Sequence, residues 1–102
     1  MIITKPSTKV DVHAAICDEI HALYLKKNAD YGDSFGKTFN EEGCAASRIR
    51  LTDKLNRFKR LTHTGHQEVD DESIRDTLID LANYAIMTIV ELDMPKTSRP
   101  EQ

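Results

Sequence analysis

Glu72, Asp76 and Asp80 recur every fourth residue in a stretch that runs on through Asn83 to Tyr84. Wound as a helix with Glu72 at zero, Asn83, Asp76 and Asp80 fall near ~20°, ~40° and ~80°. Three carboxylates and an amide therefore share one narrow wedge, with Leu78, Leu81, Ala85, Ile89 and Leu92 on the opposite side. The plain interpretation is the wet face of an amphipathic helix. Two features speak against it. Followed toward the C-terminus, the same wedge meets Met87 and Val90, flanked by Ile79 and Ile86, so it points at protein. A wet acidic face also usually carries Lys or Arg at i+3 or i+4, yet from Asp70 to Asp93 the one base is Arg75, outside the wedge. Carboxylates four apart repel each other unless something positive stands between them, and a divalent cation held by oxygen ligands meets that need.

Two other stretches offer partners for such a site. Lys27, Asp30, Tyr31, Asp33 and Phe35 gather around Gly32 and Gly36. They read either as a helix exit with a polar turn, or as a loop over a ligand, with an aromatic ring for a base and Lys27 for a phosphate. Further on, Arg48, Arg50, Lys54, Arg57, Lys59 and Arg60 accompany a single acid, Asp53. Six bases make a solvated face or an anion-binding surface, and no aromatic interleaving or nucleic-acid motif comes with them. Asp53, one turn after Ile49, is placed to join the acid wedge while its basic neighbours reach toward phosphate.

Three long helices would carry these residues. The first runs from about Val10 to Asn28 on the stripe Val12, Ile16, Ile20 and Leu23, with a loop then reaching about Asn40. The second runs from about Asn40 to Thr62, before the stop signal at Gly65, with Leu51, Leu55 and Phe58 as its main stripe. The third starts at Asp70 or Asp71, with Val69 and Ile74 spaced as a hydrophobic staple, and ends at Glu91 or Leu92. Between Leu81 and Val90 it is apolar nearly all round, the mark of a buried central helix. Two partner helices can hardly cover it. The expected architecture is therefore an all-α bundle of three main helices per chain, completed as a dimer or a dimer of dimers.

The 102 residues make one domain's worth of chain, with a core over about 10–92 and a polar tail at 93–102. At 30% charged and 39% apolar the chain is globular, and its net charge of −3 argues against a general nucleic-acid binder. No stretch is apolar for long enough to span a membrane. The lead-in from Met1 to Pro6 lacks the apolar core of a signal peptide. Cys17 and Cys44 have no disulfide-like or zinc-like spacing, even counting His63 and His66, and are expected to pack as small apolar side chains in a reducing cytoplasm.

Three blocks in this order resemble the nucleotide-modification-associated domain family, frequent in phage-related genomes: Lys27 to Gly32, Arg50 to Arg57, and Glu72 to Tyr84. That family in turn looks like the MazG-type all-α nucleoside triphosphate pyrophosphohydrolases. These hold Mg²⁺ with an ExxE pair on one helix and an ExxD pair on the next. Here Arg50 and Asp53 stand at the first spacing, and the acids of the third helix are four apart rather than three. The resemblance implies Mg²⁺, or Mn²⁺, held by Asp53, Glu72, Asp76 and Asp80 as a set. It implies hydrolysis of a nucleoside triphosphate to the monophosphate and pyrophosphate, with Glu72 and Asp76 in catalytic roles. Lys27, Lys54 and Arg57 would hold phosphate, Asn83 the sugar or base, and Tyr31 or Tyr84 would stack on the base, with Asp30 beside them. Two alternatives stay open. One is a nucleotide-binding accessory of base modification without hydrolysis. The other is a helical oligomeric interaction protein whose acid wedge pairs with its own basic helix. Pyrophosphate release separates the first pair, and magnesium titration sets the last apart.

Overall fold

The computed structural model describes residues 8–63 and 71–95. The lead-in, Gly65, His66, the staple residue Val69, the cap at Asp70 and the tail from 96 onward lie outside the described residues. Those described form four α-helices and no strand, and none of the helices is long and apolar enough to cross a membrane. The chain divides into two compact units, Met1–Gly32 and Asp33–Gln102.

The first unit is built on α1, Lys9–Tyr31. Its start is set by a capping box rather than by the apolar stripe. The Thr8 hydroxyl accepts from the Asp11 amide at 3.1 Å, and the Asp11 carboxylate accepts from the Thr8 amide at 3.3 Å. The helix runs past the expected end at Asn28 because nothing before Gly32 stops it. Gly32, at φ +66°, adopts the left-handed conformation that ends helices at little cost. Along α1 Cys17 is exposed, its Sγ 3.9 Å from His13 Nδ1, which corrects its expected packing as an apolar side chain.

The second unit begins where a loop was expected. Ser34–Glu42 form α2, capped by Asp33, whose carboxylate accepts the Gly36 amide at 3.2 Å. Gly36 is therefore no turn residue. It sits inside the helix, and a Cβ there would collide with the Asp33 carboxylate. The turn falls at Gly43, at φ +68°, whose amide donates to the Phe39 carbonyl at 2.7 Å. Beyond it α3 spans Cys44–Thr62 and, after the undescribed link, α4 spans Asp71–Asp93.

α3 and α4 lie antiparallel. Ser47 and Thr88 bring their hydroxyl oxygens to 2.7 Å, Lys54 meets Asp80, and Arg57 meets Thr77, so each step up one helix is a step down the other. α2 packs on both. Phe39 is fully buried, and Phe35 touches the Phe39 ring at 6.1 Å and the Tyr84 ring at 5.9 Å between centroids. α4 presents its faces in an unusual sense. Asn83 is buried and Asp80 half-buried, whereas Leu78, Ile89 and Leu92, which periodicity put opposite the acids, are exposed.

Candidate functional site

The α3–α4 seam gathers most of the residues singled out by type and spacing. Lys54 Nζ lies 3.1 Å from Asp80 Oδ2, each side chain about one-third exposed (29% and 32%). Arg57 reaches across as well, its Nε donating to the Thr77 hydroxyl at 3.2 Å. That hydroxyl in turn donates to the Ser73 carbonyl at 2.9 Å, so the buried Thr77 both accepts from the guanidinium and donates to its own helix. Arg50, Lys54 and Arg57 follow one another at i, i+4 and i+7, one face of α3, over a rise of about 10 Å.

Asp53 is the expected wedge member that the seam does not take in. It is exposed, and it is Lys54, the next residue, that faces Asp80. Asp76 and Glu72 lie one and two turns before Asp80 on α4, both exposed. Among the described residues neither has an ion-pair partner. Asn83 is buried to 6% exposure, in the helix packing rather than on an open face, and no hydrogen bond to its side chain is found among the described residues. Lys27, Asp30 and Tyr31 belong to the first unit. They stand on the last turns of α1, not in a loop, and all three are exposed, with Asp30 Oδ2 taken by Lys26 Nζ at 3.2 Å.

Whether this seam suits Mg²⁺ turns on the donor set. Among the described residues no three His, Cys, Asp or Glu side chains gather to hold a metal ion. An all-protein cage does not fit. Mg²⁺, however, commonly keeps its waters and takes only one or two carboxylates together with phosphate oxygens. Asp76 and Asp80, at i,i+4 on one helix, match that smaller demand.

The second unit also contains a cleft of about 380 Å³ between its three helices. Tyr84 lines it, so this ring is turned toward Phe35 and the cleft. Sequence reasoning passed over Thr77 and named Arg50 only among the bases of its helix and at the family's acid spacing, without a ligand-binding role. Their signal was positional. Thr77 lies three residues before Asp80, and Arg50 lies one turn before Lys54, but reading either requires the register between α3 and α4.

A family model described as nucleotide modification associated domain 1 matches residues 27–92, from the last turns of α1 to near the end of α4. No curated protein matches the chain, and no solved structure does.

Proposed function

For this chain, which belongs to the nucleotide modification associated domain 1 family, we propose Mg²⁺-dependent hydrolysis of a nucleoside triphosphate to the monophosphate and pyrophosphate, carried out by a MazG-like homo-oligomer. The observation that supports it best is the row of cations on α3 facing the acid-bearing face of α4, with Lys54 on Asp80 and Arg57 on Thr77, inside the matched segment. A row of positive side chains beside free carboxylates is what a polyphosphate and its counter-cation need together. Arg57, already oriented by Thr77, offers its remaining guanidinium N–H groups in a fork that suits phosphate oxygens. Lys54 exchanges its contact with Asp80 for a phosphate oxygen and frees that carboxylate. Asp76 and Asp80 would hold the ion, which would supply neutralisation of phosphate charge and a more acidic attacking water. A water adds to the α-phosphorus, the bond to the α–β bridging oxygen breaks, and pyrophosphate leaves. Asp76 or Glu72 takes the proton of that water.

A second reading is favoured by one specific observation. The Lys54–Asp80 pair satisfies one of α4's wedge acids without a ligand, as helix pairing would require. The test is pyrophosphate release from canonical and base-modified triphosphates with millimolar Mg²⁺ or Mn²⁺. Release from at least one triphosphate, abolished by EDTA, is expected. Binding of a triphosphate without release would mean a non-hydrolysing accessory, and neither binding nor release would leave the helix-pairing reading.

A further inference from the structure

The cleft in the second unit lies apart from all four wedge carboxylates, yet it is not a featureless gap. α2 contributes Ser34, Phe35, Thr38 and Glu42 to its wall, α3 contributes Arg50 beside the small side chains of Ala45 and Ala46, and α4 contributes Tyr84. Its volume falls within the range of small-molecule sites. Two aromatic rings, Phe35 and Tyr84, meet at 5.9 Å between centroids with their planes tilted by 49°, and both line the cleft, where they offer aromatic surface to a planar group. The polar equipment is mixed in sign: the Glu42 carboxylate accepts, the Arg50 guanidinium donates, and the Thr38 hydroxyl, whose proton goes to the Ser34 carbonyl at 3.1 Å, has lone pairs left to accept with. Aromatic faces with both donors and acceptors at the rim select a flat heterocycle that carries both.

The position of the cleft says more. Tyr84 stands one turn after Asp80 on α4, and Arg50 one turn before Lys54 on α3. Because the two helices are antiparallel, the cleft lies at the same end of the seam from both sides, and Arg50 opens the cationic row that Lys54 and Arg57 continue. A molecule with a flat heterocycle in the cleft and a chain of negative charge leading from it along α3 would meet every one of these groups. We infer that the cleft between α2, α3 and α4 is the nucleobase pocket of this protein, with Tyr84 and Phe35 as stacking surface, Glu42 and Arg50 reading the base edge, and the phosphates running from Arg50 toward Arg57. This rests on the nucleotide reading above, but it needs only binding and not hydrolysis.

The experiment is a titration of the whole chain, followed through the methyl resonances of Ala45 and Ala46, with the four deoxynucleosides and separately with their 5′-triphosphates. Ala45→Leu, which fills the cleft from a half-buried position, and Thr38→Leu, which fills it from an exposed one, are compared with wild type after their helix content is checked. Nucleosides without phosphate are expected to move the Ala45 and Ala46 signals. Each filling variant is expected to weaken triphosphate binding by about tenfold or more, the worth of one stacked base. If triphosphates bind or are hydrolysed while those methyl signals stay still and both variants keep wild-type affinity, the pocket is overturned and the seam reading stands. If nucleosides move the signals and no triphosphate is hydrolysed, the pocket stands and the hydrolase reading fails. If neither nucleoside nor triphosphate moves them, the pocket is overturned.

Discussion

Asp80 is the residue on which the structural and functional interpretations meet. Its contact with Lys54 is partly exposed, and such pairs contribute no more than about 1 kcal/mol. Breaking it by Asp80→Asn or by Lys54→Met is therefore expected to lower the melting temperature by less than about 8 °C. The two variants should part company when a triphosphate and Mg²⁺ are present. On the proposed reading Asp80→Asn removes a ligand of the ion and should cut pyrophosphate release by at least about tenfold. Lys54→Met keeps that carboxylate and should act chiefly on KM. Melting curves and initial rates on both variants check this, and equal small losses of stability with unchanged rates would assign the pair to helix packing alone. The period-four spacing of these acids is legible in the sequence, because no base shares their wedge. Their actual neighbours are not. Lys54 sits beside Asp53 in the chain, and only the rotation and register of two helices decide that the lysine, not the aspartate, faces Asp80.

At the scale of elements, the long helices α1, α3 and α4 follow from apolar periodicity, with ends that caps and glycines adjust by a few residues. The short α2 does not. Gly32 and Gly36 read alike as breakers, yet only Gly32 takes a positive φ. Gly36 is needed for a different reason, the close approach of the Asp33 carboxylate that caps the helix. This has a consequence that can be measured. Ordinarily Gly→Ala inside a helix stabilises by roughly 0.5–1 kcal/mol. Here Gly36→Ala must push the cap away and forfeit about 1 kcal/mol of capping, so it is expected to be neutral or destabilising. In an Asp33→Ala background the cap is already gone, and the same Gly36→Ala change should stabilise. A double-mutant cycle by denaturant unfolding reads the sign reversal, and a Gly36→Ala effect of one sign in both backgrounds would show that the cap is not the constraint. The candidate pocket depends on the same cap, since Ser34, Phe35 and Thr38 reach the cleft only as turns of α2. A loop in that place would have scattered them, which is why no reading of residues 32–40 as a turn could have found the cleft.

The second unit is organised by α4, which turns Thr77 and Asn83 inward and an aliphatic row outward. Thr77 and Asn83 are buried, while Leu78, Ile86, Ile89 and Leu92 are 41% to 57% exposed. In water this is the costly orientation, because each such side chain, left about half exposed, forgoes about half of the roughly 1.5–3 kcal/mol that full burial gives. A helix that buries a hydroxyl and an amide and leaves an aliphatic stripe outside is fitted for a second helix on that stripe. The stripe from Leu78 to Leu92 extends about 21 Å, four turns, enough for a two-fold helix–helix contact between copies. The matching stretch Leu81 to Val90 is apolar nearly all round in sequence, which makes sense only if both of its sides meet protein. We therefore expect the chain to be at least a dimer at micromolar concentration, with α4 against α4. Ile89→Arg places a charge in the middle of that contact, where desolvating it opposes association. Light scattering should give twice the chain mass or more for wild type and a lower mass for Ile89→Arg, with helix content unchanged by circular dichroism because Ile89 supports little within one chain. A monodisperse wild-type monomer would overturn the expectation, and an Ile89→Arg protein that keeps the wild-type mass would move the contact to another face. The same substitution also separates assembly from the seam. If Lys54, Arg57 and Asp80 form a complete site within one chain, the monomeric variant retains triphosphate binding. A loss of binding that accompanies the loss of the dimer would mean that the partner subunit completes the site.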